Sequence, residues 1–364
     1  MTCRSHLRWL LRFAGFLAVV LLADSAARLG GLAYWQPLVN NQALKVHVLL
    51  RDEIDPDVLV LGTSKVNRAV LARSLAAELA AGGTGPVTVF GLGQRGMSLH
   101  AQRILLADLL AAGRRPRMVL LEVSPITLNA NHGGLTDVLR FYASPAELVR
   151  LAPRMRTAGH WRAAGRGLFR GLTCLYLRGW SVLFSDGQQG QLDRIRRCRG
   201  FRYLTADEPG ARRLDEMPQP ERQRLLAGTR DRGRRRYMRD YSIGGEPARG
   251  LDEVLRMTGE LGIPLVLFTA PVAAEYRQAL YGEGARERFL AHINETAARS
   301  GVPFIDLDDG RLGLTGRDFH DFGHLNPRGA ETLSRRLARE LLRTASAGPE
   351  PGPLRCQTGA SPVS

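Results

Sequence analysis

Short, continuous apolar runs alternate with longer stretches of helical periodicity along this chain. Five runs read as strands: residues 58–61 in PDVLVLG, 87–90 in PVTVFG, 118–123 in RMVLLEV, 265–269 in IPLVLFTAP and 304–307 in VPFIDL. In each the apolar positions are largely unbroken. Such runs suit parallel strands covered on both faces, where neither face carries side chains to water. Helical patterns fall between them, at 69–81, 99–112, 251–261, 285–300 and 328–343. This β-α alternation predicts an α/β fold built as a three-layer, doubly wound parallel sheet.

The alternation breaks once. Residues 124–263 separate the third strand from the fourth, far more chain than a crossover needs. The stretch is rich in Arg and Gly and has no strong strand signal. ASPAELVRLAP reads as a helix capped by Ser144, with Pro145 in its first turn and Glu147 at the capping-box position. GLFRGLTCLYLRGWSVLF is apolar enough for a buried or amphipathic helix. Residues 136–248 therefore read as a mostly helical insertion in an α/β domain spanning 50–344, partly covering the carboxyl edge of the sheet. Residues 345–364, rich in Pro, Gly and Ser, read as a disordered tail.

At the other end, Arg4, Arg8 and Arg12 precede an apolar run at 13–23 that stops at Asp24. With residues 9–11 the run is about 15 residues long, short of the roughly 20 needed to cross a bilayer. Arg12 can snorkel to the headgroups, and 26–35 can extend the span to Tyr34 and Trp35 at the outer interface. Segment 1–35 reads as an N-terminal transmembrane helix, or as a signal segment cleaved near Ser25, Ala26 and Ala27. A buried soluble helix is the plainer alternative. Anchor and signal agree that the rest of the chain lies outside the cytoplasm, because positive charge stays inside.

Charge and cysteine content alter this picture little. Of 51 basic residues only Lys45 and Lys65 are lysines, leaving 49 arginines and a net charge of +16. That bias fits a GC-rich genome as well as it fits attraction to polyanions. The arginines are spread along the chain and no nucleic-acid fold is visible, so nucleic acid is not an expected partner. Four cysteines are too few for a disulfide framework, though Cys174 and Cys198 could pair in an oxidising compartment. No CxxC or Cys/His cluster appears, so neither a metal nor a cofactor is expected.

Candidate chemistry lies where open parallel sheets bind ligands, beyond the carboxyl ends of their strands. After the first strand, LGTSKVNRAV places Ser64 in a tight turn entering a helix, near free helix N–H groups. A helix N-cap is its ordinary reading. After the second, FGLGQRGMS brings Gly91, Gly93 and Gly96. This spacing mimics a dinucleotide fingerprint but follows the wrong strand. Before the last helix, DFGHLNPRGAETL sets Asp321 three residues ahead of His324, a distance one helical turn can close. His320 is a decoy beside them. Lys65 reads as a solvent-facing side chain. A nucleophile, a base and a group that orients the base are what acyl transfer requires.

Together these blocks resemble the SGNH/GDSL hydrolase superfamily. They are most similar to its membrane-anchored, cell-envelope branch, which includes the D-alanyl transfer protein of teichoic acid synthesis and the alginate O-acetylation proteins. The resemblance covers roughly residues 55–125 and 250–343. It implies Ser64 as nucleophile, His324 as base, Asp321 as its orienter, and an oxyanion hole from the N–H groups of Ser64 and Gly93. The superfamily's third block supplies an asparagine to that hole. Here VSPITLNANHGG offers Ser124, or later Asn129, as the third donor. The resemblance further implies an extracytoplasmic esterase or O-acyltransferase. Its partners would be an acylated glycan or envelope polymer, and a membrane-bound acyltransferase would be a fitting companion. A non-catalytic scaffold of an envelope-polymer assembly is the alternative.

Overall fold

The computed structural model describes residues 41–51, 54–93, 97–131, 149–155, 160–166, 186–208, 211–282 and 284–347, with isolated positions 15, 18 and 19. The apolar run at 13–23, the tail beyond Ala347, the cap at Ser144, the apolar segment 167–184 and Cys174 fall wholly or almost wholly outside these residues. No helix among the described residues is long and apolar enough to cross a membrane.

The chain forms two compact units, one of residues 1–47 with 135–190 and the other of 48–134 with 191–364. Of the first, the described residues include helical turns at 149–151 and 160–166 and a 3-10 turn at Ala152–Arg154, with Leu151 and Ala163 buried. The second holds the sheet. Residues 191–248, read from sequence as part of an insertion, belong to this sheet-bearing unit.

The five strands are β1 (Val58–Leu61), β2 (Val89–Gly91), β3 (Met118–Glu122), β4 (Leu265–Phe268) and β5 (Phe304–Ile305). All pair in parallel, in the order β2-β1-β3-β4-β5. The order reverses between β1 and β3, the switch point at which such sheets open a crevice. Helices connect them: α1 (Ser64–Ala69), α2 (Ala72–Leu79), α3 (Leu99–Ala111), α4 (Pro125–Leu128), α5 (Gln219–Tyr237), α6 (Gly245–Glu260), α7 (Ala274–Tyr281) and α8 (Ala285–Ser300). A hairpin, β6 (Phe319–Asp321) with β7 (His324–Leu325), precedes the last helix α9 (Pro327–Ala347).

Strand pleating assigns the layers. Val58, Val60, Met118, Leu120, Val266 and Phe268 share one cluster with Val66, Leu75, Leu79, Leu333, Leu337 and Leu341 of α1, α2 and α9. The alternate positions Leu59, Leu61, Val119, Leu121 and Leu267 point to the opposite face and are equally buried. Helices therefore cover both faces, as the unbroken apolar runs predicted. Each such side chain contributes about 1.5–3 kcal/mol by leaving water. Helix α9 packs on α2, and α6 packs on α3.

Candidate active site

Three loops meet around Ser64. The first leaves β1 with almost no turn. A Cβ at Gly62 would lie 2.4 Å from Val66 Cγ2 and 2.8 Å from Glu122 Oε2, so only glycine lets α1 begin at once. The N-cap of α1 is Thr63, whose hydroxyl accepts from the Lys65 N–H. Ser64 is thus released from capping. Its Oγ lies 2.9 Å from His324 Nε2.

The second loop follows β2. A Cβ at Gly93 would sit 2.7 Å from Asn67 N and 2.8 Å from Thr63 O. Glycine is needed because the chain presses against the first turn of α1. Gln94, Arg95 and Gly96 lie outside the described residues.

The third element is the β6–β7 hairpin. Asp321 and His324 are cross-strand partners in it, not neighbours on a helical turn. The carboxylate accepts the His324 Nδ1–H at 2.8 Å and the Gly323 N–H at 2.9 Å. That bond leaves Nε2 as the acceptor for the Ser64 hydroxyl. Two ties hold the hairpin down. The Ala273 N–H donates to Phe322 O at 2.9 Å, and the Tyr276 ring lies over Gly323. Asn326 then caps α9, accepting from the Gly329 N–H. His320 feels the charges of both Asp321 and His324, but burial, first, and the Arg68 charge lower its pKa.

Burial raises the Asp321 pKa, but the His324 hydrogen bond and charge, with the Gly323 N–H, outweigh it and hold the carboxyl at about 2. Asp321 is therefore a carboxylate throughout the neutral range. A depressed folded-state value stabilises the fold above the ordinary carboxylate pKa, and that contribution disappears as pH falls from 3.8 towards about 2. We expect the stability advantage of the wild type over Asp321→Asn, read from urea midpoints, to narrow across that window. A constant difference contradicts the pairing.

Beneath the nucleophile lies a polar cluster that the sequence did not announce. Glu122 ends β3 and is fully buried. Because β1 and β3 pair in parallel register, its carboxylate meets the turn after β1. It accepts from the Thr63 N–H at 2.6 Å and from the Thr63 hydroxyl at 2.8 Å. Lys65 is buried too, contrary to the solvent-facing expectation. Its ammonium sits 4.0 Å from Glu122 Oε1 and donates to the Tyr281 hydroxyl at 3.3 Å. Burial, reinforced by the carboxylates of Asp308 and Glu122, pushes the Tyr281 phenol well above its ordinary value. Neither Glu122 nor Lys65 was assigned a role from sequence. The available signal was a carboxylate closing an otherwise apolar strand, which needs a partner.

Ser124 and Asn129, the expected third oxyanion donors, hold other hydrogen bonds in the structure. The Ser124 N–H donates to Thr127 Oγ1 at 2.8 Å, and its hydroxyl takes part in a capping box with Thr127 at the start of α4. Asn129 donates its amide to Tyr237 O at 2.8 Å and to Arg239 O at 3.4 Å, and its carbonyl accepts from the Ser242 N–H. Both residues stitch α4 to neighbouring chain, and their donors are engaged there. Of the suggested Cys174–Cys198 pair, Cys174 lies outside the described residues. Cys198 is a buried free thiol whose pKa is raised, first by burial.

The protein is thus a parallel α/β fold with a serine, a histidine and an aspartate hydrogen-bonded in sequence at the switch point of its sheet. By sequence the chain belongs to the family described as "Protein of unknown function (DUF1574)", which matches it over residues 44–341. No curated protein matches it. Among solved structures it is similar to the lipase/acylhydrolase from Enterococcus faecalis, at 15% identity and TM-score 0.37, over 79% of this chain and 96% of that one. It is also similar to a gut microbial diltiazem-metabolizing enzyme, at 10% identity and TM-score 0.38, over 79% of this chain and 46% of that one.

Proposed function

We propose that this protein is a serine-dependent acyl hydrolase or O-acyltransferase. The observation that carries the reading is the hydrogen-bonded sequence Ser64 Oγ, His324, Asp321, with contacts of 2.9 and 2.8 Å. Ser64 and His324 are both partly exposed, so a substrate can reach them.

The chemistry runs in two halves. Ser64 Oγ attacks an ester carbonyl while His324 Nε2 takes its proton and Asp321 steadies the imidazolium. We assign the N–H groups of Ser64 and Gly93 as the oxyanion donors. Collapse expels the alcohol, which receives the proton from His324, and leaves an acyl group on Ser64. Water or a second hydroxyl, deprotonated by His324, then attacks that ester and regenerates the serine. Water gives hydrolysis, and a sugar or polyol hydroxyl gives transfer.

The order Ser64, Gly93, Asp321, His324 on a parallel sheet supports placing this chemistry in the SGNH manner. An extracytoplasmic position and an envelope glycan as acylated substrate or acceptor rest on the basic and apolar N-terminal pattern and the envelope-branch resemblance. A membrane-bound acyltransferase would then supply or receive the acyl group. One observation favours the non-catalytic scaffold instead: the donors of Ser124 and Asn129 are used elsewhere. Losing one oxyanion donor costs about 10²–10³ in rate, so a slow enzyme is expected rather than none.

The test uses the full-length chain with p-nitrophenyl acetate, with and without an oligosaccharide acceptor. Mass spectrometry separates free acetate from O-acetylated glycan. Release that requires Ser64 supports the reading, and the product identifies hydrolysis or transfer. Release no faster than from Ser64→Ala supports the scaffold.

A further inference from the structure

Outside the serine site, the sheet-bearing unit carries a cavity of about 600 Å³ between the end of α5, the loop after it, the end of α7 and the start of α8. Its size suits a small-molecule ligand. Four arginines line it, Arg234, Arg235, Arg239 and Arg288, against one described acid, Asp240, a balance of +4 and −1. Its floor is apolar, including the buried Met238 and Leu280.

Two of these arginines are held by the protein itself. Arg234 Nε donates to Ala279 O at 2.9 Å. The Arg288 guanidinium lies 5.4 Å from the centre of the Tyr241 ring. Arginines fixed in this way lose less freedom on meeting an anion than freely moving ones. Asp240 offsets one charge, through its pair with Arg239. The remaining excess of positive charge, presented by planar forks above an apolar floor, matches a phosphate better than a single carboxylate. A phosphate offers three acceptor oxygens and more charge.

We propose that this cavity binds a phosphate-bearing ligand, with Arg234 and Arg288 on the phosphate and Met238 and Leu280 against its less polar part. One hydrogen bond connects the cavity to the residue beside the nucleophile. Tyr281 lines it and accepts a hydrogen bond from Lys65, the residue after Ser64. Binding itself does not depend on the acyl-transfer chemistry.

Titration calorimetry of the full chain with inorganic pyrophosphate and with glycerol 3-phosphate tests this, using glycerol as the neutral control. An Arg-phosphate contact is a charge-assisted hydrogen bond of about 1.5–3 kcal/mol, so removing one weakens binding roughly tenfold or more. Wild type and Ser64→Ala should bind alike. Arg234→Gln with Arg288→Gln should lose at least that much. Arg339→Gln with Arg343→Gln, exposed on α9, makes the same charge change elsewhere and should leave binding intact. No binding by wild type overturns the proposal, as does equal weakening by both double variants, which would mean generic attraction to a basic protein. Sedimentation with phosphatidylglycerol vesicles, against phosphatidylcholine, then separates two sources of the phosphate. Vesicle binding lost with the cavity variant assigns a lipid headgroup. Vesicle binding unchanged while glycerol 3-phosphate binding is lost assigns a soluble phosphate ester.

Discussion

Replacing Ser64 or His324 with alanine is expected to remove nearly all of the proposed acyl transfer, and replacing both to remove no more than either alone. Groups that act as one device are strongly non-additive, because a base with no nucleophile to deprotonate is idle. Here the two are joined by one contact of 2.9 Å, and the base is oriented by one carboxylate. Each single variant should lose about 10⁴–10⁶ in kcat, the residue being what binding and the oxyanion donors supply. Hydrolysis of p-nitrophenyl acetate by the two singles and the double measures this. Losses that multiply would mean that the two residues work independently.

Glu122→Leu should destabilise the sheet-bearing unit by about 3–5 kcal/mol, the cost of leaving a buried partner charge uncompensated. The partner is the Lys65 ammonium, and the Thr63 N–H loses its acceptor at the same time. Lys65→Met is expected to cost less, because Glu122 keeps both bonds from Thr63. The double variant should be more stable than the sum of the singles implies, since it buries neither charge. Chemical denaturation of the three variants gives the coupling directly. Strict additivity would show that the pair contributes nothing. Because Glu122 holds the turn that carries Ser64, the variant that folds should also lose kcat more than KM.

The sheet was legible because its strands are buried on both faces. VLVL at 58–61 and MVLLE at 118–122 contain almost nothing that water could satisfy, and both are strands at those positions. The serine block and the Asp-x-x-His block were legible because their chemistry is local, held within three residues or at one strand end. Their fine structure was not. Whether Asp321 and His324 meet on a helical turn or across a hairpin depends on the Ala273 and Tyr276 contacts, from a helix far away in sequence. Glu122 meets Thr63 only once β1 and β3 are in register, a long-range fact that no periodicity reports. The partners of Asn129 were hidden for the same reason, since they lie more than a hundred residues on. Helix α5 was unreadable because it is polar almost all round, with Leu225 and Leu226 its main apolar contacts with the core.

In the proposed chemistry His324 activates Ser64, and labelling with a fluorophosphonate reads that activation. The full-length protein is treated with the probe, digested and mapped by mass spectrometry, alongside His324→Ala. A single phosphonylated site at Ser64 is expected in the wild type and none in the variant. An unlabelled Ser64 in folded protein that hydrolyses no ester, or labelling that persists without His324, would contradict it.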